Sequence, residues 1–367
     1  MREYLLVFVV AAAMTYVATP FVRWVAVATG AFTPVRDRDV HATPIPRLGG
    51  VGILIGFGSA WLVASQLPYL SQVFPTGEPM GILAGAVIVC AVGALDDMRE
   101  LDWITKLAGQ MLAAGIMAFK GVQLLQLPLF GVTILPTPVL VGLTIVIVII
   151  SINAVNFIDG LDGLAAGVVG IAALAFFVYS YLLSRSYDPP NVFSSATFVT
   201  AALVGCCAGF LPHNFHPARL FMGDSGALLL GLLLAAATIS MTGNVDPSSV
   251  SKDEVTAAFL PILLPLAILS LPLLDVLLAV VRRTRAGLRP WHPDAQHLHH
   301  RMLKIGHGHR RAVLLLYLWA AVVSLGAVSF AFPGVDIWVS LSVILAASLL
   351  AVILTVGLPR WRPHTRL

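Results

Sequence analysis

Acidic residues at the ends of apolar runs are the first chemistry this chain offers. The stretch Asn153-Ala-Val-Asn156-Phe-Ile-Asp159-Gly-Leu-Asp162-Gly163 follows a nearly unbroken apolar run from Val139 to Ile152. Each aspartate precedes a glycine, which lets the backbone turn tightly and come close to a ligand. Carboxylates at a bilayer boundary mark either a functional site or a water-facing loop that tolerates them cheaply. A second acidic pair, Asp96-Asp97, stands where another apolar run ends. Adjacent carboxylates do not both ionise cheaply without a cation, so a metal or a shared proton is implied. A third acid, Asp224, lies in Phe221-Met-Gly223-Asp224-Ser225-Gly, where Ser225 suits the opening of a helix. Oxygen donors of this kind suit Mg²⁺, or Mn²⁺, rather than zinc. Mg²⁺ is usually held by one or two carboxylates, with substrate phosphates filling its shell.

Histidines form a separate group. His297-Leu-His299-His300 stands beside Arg301 in a basic stretch over 282–311. Zinc fits the residue type. No cysteine is near, however, and arginines oppose a dication. Histidines among arginines suit phosphate oxygens better. The plainer alternative, a basic loop against anionic lipid, accounts for the arginines but not for the histidine spacing. Carboxylates for a metal, cations for phosphate and a site among apolar helices together describe phosphoryl chemistry between a soluble nucleotide and a lipid. In such chemistry the protein mainly positions groups and neutralises charge. No GxxxxGK[ST] segment is present, which argues against a P-loop ATPase.

The elements that must position these residues are membrane helices. The chain has 367 residues, 58% hydrophobic and 11% charged. A soluble protein carries about 25% charged residues. Apolar runs predict an all-α polytopic membrane protein of one domain with about eleven spans. These cover 4–28, 49–68, 79–95, 104–121, 137–155, 164–184, 194–211, 225–242, 255–281, 312–331 and 337–357. The first run is too long for the core of a cleavable signal peptide. Residues 121–136 suggest a small hairpin. Cys90, Cys206 and Cys207 all lie in apolar runs and read as small core residues. Eleven spans place 18 of the 22 Lys and Arg residues on one side, which makes that side cytoplasmic. The N-terminus is then outside and the C-terminus inside. The acidic loops, Arg47 and the histidine stretch all fall on the cytoplasmic face.

The chain resembles the polyprenyl-phosphate N-acetylhexosamine-1-phosphate transferase family. The resemblance runs over essentially the whole chain. It is carried by Pro46-Arg47-Leu-Gly-Gly, Asp96-Asp97, Asn156-x-x-Asp159-Gly-x-Asp162-Gly, Phe221-Met-Gly-Asp224-x-Gly and His297-Leu-His299-His300. It implies transfer of a sugar 1-phosphate from a UDP-sugar to a polyprenyl phosphate at the plasma (inner) membrane, with UMP released. It further implies that Asp224 binds Mg²⁺, and that Asp96 contacts or deprotonates the attacking lipid phosphate. Asp97 would support Asp96 and the metal. Asn156, Asp159 and Asp162 would line the nucleotide-sugar pocket. Phe221 would stack on uracil, with Asn214 and Gly223 beside it. His297, His299 and His300 would bind the diphosphate or sugar, and Arg47 and Lys106 would touch phosphates.

Two positions point to a branch. The branch that uses UDP-MurNAc-pentapeptide tends to carry three consecutive histidines, and a lysine four residues after the first aspartate of the pair. Here those positions hold Leu298 and Glu100. Both departures resemble the branch that transfers GlcNAc 1-phosphate, which primes O-antigen, teichoic-acid or arabinogalactan-linker synthesis. The rival from another class is an ion-coupled transporter with Asp275 on its proton path. The clustering of acids at one face and the lack of an internal repeat argue against it. No nucleic-acid partner is expected. Glycine-rich spans are compatible with a homodimer.

Overall fold

The computed structural model describes residues 1–32, 44–125, 127–128, 132–133, 135–186, 194–244, 281, 284–285, 287, 302, 307–330 and 336–356. The expected ninth span up to residue 280, Asp275, and the histidines His297, His299 and His300 lie outside them.

Ten apolar α-helices account for most of the described chain: α1 (Arg2–Thr29), α2 (Gly49–Ala64), α3 (Glu78–Arg99), α4 (Trp103–Phe119), α5 (Thr137–Ile158), α6 (Leu164–Ser186), α7 (Ser195–Asn214), α8 (Gly223–Asn244), α9 (His309–Ser329) and α10 (Ile337–Val356). Eight are long and apolar enough to cross a membrane; α2 and α4 are apolar but shorter, at 16 and 17 residues. A polytopic membrane protein is therefore what the chain builds. Each helix falls on one of the expected apolar runs. The expected hairpin also forms: β1 (Leu127–Pro128) pairs antiparallel with β2 (Val132–Thr133).

Local chemistry sets both ends of the helix that carries the acidic pair. Pro79 opens α3, where its missing N–H costs nothing. The helix stops at Glu100, in left-handed conformation with φ 45°. Two residues on, the Asp102 carboxylate caps α4 by accepting the Thr105 N–H at 2.8 Å. A break of three residues thus turns the chain back and brings Lys106 under Asp96.

Helix α8 is the central post, with 94% of its spanning segment buried, against 11% for α10. It packs against α2, α3, α5, α6 and α7. Two glycines allow the closest of these approaches. A Cβ on Gly50 of α2 would sit 2.2 Å from the backbone of Ser225, and one on Gly93 of α3 would sit 2.5 Å from it. Larger residues at either position would push α8 away. The N-terminus of α8, which carries Asp224, is therefore held tightly between two neighbouring helices.

Candidate active site

Asp96, Asp97, Lys106 and Asp224 come together although more than 100 residues separate the first from the last. Lys106 Nζ lies 2.5 Å from Asp96 Oδ2 and 3.0 Å from Asp224 Oδ2. Two carboxylate oxygens from α3 and α8 thus converge on one cationic nitrogen. Asp96 also accepts the Leu101 N–H through Oδ1 at 2.7 Å. Both bonds fix its carboxylate plane. Asn156, near the end of α5, approaches Asp224 from a third helix.

Asp97 is placed differently. Its Oδ1 accepts the Asp224 N–H at 2.9 Å and its Oδ2 accepts the Ser225 N–H at 3.1 Å. The carboxylate caps α8 from outside, satisfying amides that have no partner within the helix. Gly223 makes this possible. Its φ is +70°, and a Cβ there would stand 2.3 Å from Asp97 Oδ2.

Asp159 follows the last residue of α5. Burial pushes its carboxyl up to about 7, and the Asp224 and Asp97 carboxylates push the same way against the opposing pull of the Arg47 guanidinium. Arg47 is itself tethered, since its N–H donates to Ala31 O at 2.9 Å. Neighbouring Pro46 accepts the Phe221 N–H at 2.9 Å, and Phe221 O accepts the Gly49 N–H at 3.1 Å. The segment around Arg47 is thereby strapped to the segment that delivers Gly223 and Asp224.

Four carboxylates, one lysine and one arginine make a cluster with excess negative charge. Oxygen-only donors of this kind are the type that a hard divalent ion takes. Asp96 and Asp224 are the pair whose oxygens converge.

Asp162, in the loop after α5, and Asn214, the last residue of α7, are both buried. Asn214 clamps two segments, accepting the Gly163 N–H at 3.0 Å and donating to Leu220 O at 3.0 Å. Asp162 Oδ2 accepts His216 Nδ1–H at 2.8 Å and the Ala218 N–H at 3.1 Å. His309, the first residue of α9, accepts the Asp162 N–H, and Tyr317 of the same helix donates to Gly163 O. The sequence reading passed over His216, His309 and Tyr317. Nothing local in the sequence pairs His216 with Asp162, 54 residues before it, or His309 with the same loop, 147 residues before it.

Comparison with known proteins bears on this arrangement. Residues 79–242 match the family described as glycosyl transferase family 4. The chain is 45% identical over 342 residues to the decaprenyl-phosphate N-acetylglucosaminephosphotransferase of Mycolicibacterium smegmatis, covering 91% of this chain and 84% of that one. The chain belongs to the polyprenyl-phosphate N-acetylhexosamine-1-phosphate transferase family. Within the family, a Bacillus subtilis protein called a probable undecaprenyl-phosphate N-acetylglucosaminyl 1-phosphate transferase is 30% identical over 342 residues, 92% of this chain and 87% of its own. A phospho-N-acetylmuramoyl-pentapeptide-transferase of Desulforudis audaxviator is 28% identical over 314 residues, 78% of this chain and 84% of its own. The segment matched by the family contains Asp96, Asp97, Lys106, Asn156, Asp159, Asp162, Asn214, Phe221, Gly223 and Asp224. Arg47 and the three histidines fall beyond it.

Proposed function

We propose that this chain transfers N-acetylglucosamine 1-phosphate from UDP-N-acetylglucosamine to a polyprenyl phosphate, at the cytoplasmic face of the plasma membrane. The observation that carries the reading is the convergence of Asp96 and Asp224 on Lys106, with Asp159 and Arg47 beside them. Membership of a transferase family, with relatives at 45% identity named for this reaction, supports it over a transporter. The MurNAc-pentapeptide branch is the more distant relative at 28%.

In the proposed reaction an oxygen of the lipid phosphate bonds to the sugar-bearing phosphorus. The bond from that phosphorus to the bridging oxygen breaks, and its electron pair leaves with UMP. Asp96 contacts the lipid phosphate and accepts its proton where one is present. Lys106 neutralises phosphate charge between the two carboxylates. Asp224, with Asp96 or Asp97 at its side, would hold Mg²⁺, which supplies charge neutralisation on the diphosphate when bound. Asp97 keeps Asp224 in place through the backbone of α8. Asn156, Asp159 and Asp162 face the nucleotide sugar, Phe221 takes the uracil ring, and Asn214 and Gly223 shape that end. Arg47 and the histidines His297, His299 and His300 contact the diphosphate or sugar.

Purified protein given radiolabelled UDP-N-acetylglucosamine, polyprenyl phosphate and Mg²⁺ should form labelled lipid and UMP in equal amounts. EDTA should stop the reaction. Lipid product from UDP-MurNAc-pentapeptide alone would move the chain to the sister branch.

A further inference from the structure

Helix α9 reaches into the proposed donor end of the site through three residues. His309 Nε2 accepts the Asp162 N–H at 3.1 Å. Arg310 Nε donates to the carbonyl oxygen of His216 at 3.0 Å. Two turns on, the Tyr317 hydroxyl donates to Gly163 O. The His216 and His309 rings stack, with centroids 4.2 Å apart and planes 19° from parallel. All these contacts end on the Asp159–Gly163 loop or on the segment whose His216 holds the Asp162 carboxylate.

Asp162, His216 and His309 bring possible ligand atoms within 4.8 Å of one another, as a cation site would. The ring geometry opposes that use. Imidazole lone pairs lie in the ring plane, so two near-parallel stacked rings point them side by side rather than at one ion. One nitrogen of each ring is also engaged. His309 Nε2 accepts an amide proton, and His216 Nδ1 donates to a carboxylate. The cluster is built to fix a loop.

We infer that the first turns of α9 position the donor-binding loop, with His309 as the contact that sets the Asp162–Gly163 backbone. This rests on the reading of Asp162 as part of the nucleotide-sugar pocket. His309 is a positioning residue: it acts through Asp162 and touches no reacting atom. A backbone amide that loses its acceptor in a buried place must find water or shift. The Asp162 peptide would rotate, and the carboxylate held by His216 and Ala218 would move with it. Nucleotide-sugar binding would weaken, while the Asp96–Lys106–Asp224 cluster would stay as it is.

Steady-state kinetics on His309→Ala, His309→Gln and His307→Ala test this. His309→Ala should raise donor KM and the UMP inhibition constant about tenfold, with acceptor KM and kcat changed less than about threefold. His309→Gln, whose side-chain oxygen still accepts an N–H, should restore wild-type donor KM. His307 bonds Thr355 O at 2.8 Å beside the start of the same helix but does not touch the loop. His307→Ala should therefore leave donor KM unchanged. A fall in kcat at unchanged donor KM, an equal rise in acceptor KM, or the same defect in His307→Ala would overturn the inference. Should His309→Ala fail to fold, a raised donor KM in His309→Gln would overturn it as well. Wild-type protein that makes no lipid product from UDP-N-acetylglucosamine would instead sink the proposed function, and UMP binding to wild type and His309→Ala would still judge the loop.

Discussion

Three aspartates at the centre of the site share a side chain but not a task, and substitution should separate them. Asp224→Asn keeps the shape and removes the charge that faces Lys106 and the proposed cation. Turnover should fall by about 10²–10³-fold with the fold intact, as loss of a transition-state charge partner does; full activity at ordinary Mg²⁺ would remove Asp224 from the metal. Asp97→Asn should behave in the opposite order. One of its oxygens becomes an NH₂ that cannot accept from the amide it faces. Leaving that buried donor unmet costs about 1–3 kcal/mol, so thermal unfolding in detergent should come earlier even where some activity survives. Asp159 predicts a pH effect. Its folded carboxyl titrates near 7 rather than at the ordinary 3.8. Between those values the folded state binds the proton more tightly, so the stabilising contribution is complete below 3.8 and lost as pH rises through about 7. In EDTA, Asp159→Asn should be more stable than wild type at pH 8 by about 1–2 kcal/mol, after discounting for solvent screening, and equal to it near pH 4. A constant difference across that range would mean that the carboxylate is not crowded as described.

Helices converge here because small residues let them, and that is where single changes act at the scale of an element. Gly93→Ala puts a methyl group 2.5 Å from the Ser225 backbone, which Gly50 of α2 also packs against closely, so α8 has little room to yield. Overpacking of this kind costs about 1–3 kcal/mol. The change should lower both the melting temperature and kcat, because Asp96 and Asp224 are carried on the two helices being forced apart. Unchanged kcat would show that their spacing is not critical. The helices themselves were legible in the sequence, since apolar runs of spanning length have few other outcomes. The antiparallel pair of β1 and β2 falls within the stretch, 121–136, that suggested a hairpin. The acids were legible as a set because each stands at the end of an apolar run, with Asp159, Asp162 and Asp224 beside a glycine. Their separate roles were not. Adjacent Asp96 and Asp97 look alike in sequence, and only the approach of α8, over a hundred residues later, turns one toward Lys106 and the other toward amides. The contacts of His309 and Tyr317 were hidden for the same reason: pairing across some 150 residues leaves no local pattern to read.

At the scale of the molecule, everything proposed depends on which way α3 crosses the membrane. With 22 residues it is about 33 Å long, enough to pass the hydrocarbon core once. Asp96 and Asp97 close one end of it, and Glu78 opens the other. The proposed function needs the Asp96 end to face the cytoplasm, as the expected excess of Lys and Arg on that side would orient it, because a UDP-sugar would be supplied there. The two connections flanking α3 make this testable with one helix as the ruler. Gln72 is exposed in the short 3₁₀ helix before it (Leu70–Thr76), and Glu100 is exposed just after it. Cys90, Cys206 and Cys207 are buried, so they add little background to thiol labelling. A membrane-impermeant maleimide should label Gln72→Cys in intact cells and Glu100→Cys only in inverted vesicles. The reverse pattern would put the carboxylates on the outer face, out of reach of a cytoplasmic nucleotide sugar, and the proposed reaction could not take place there.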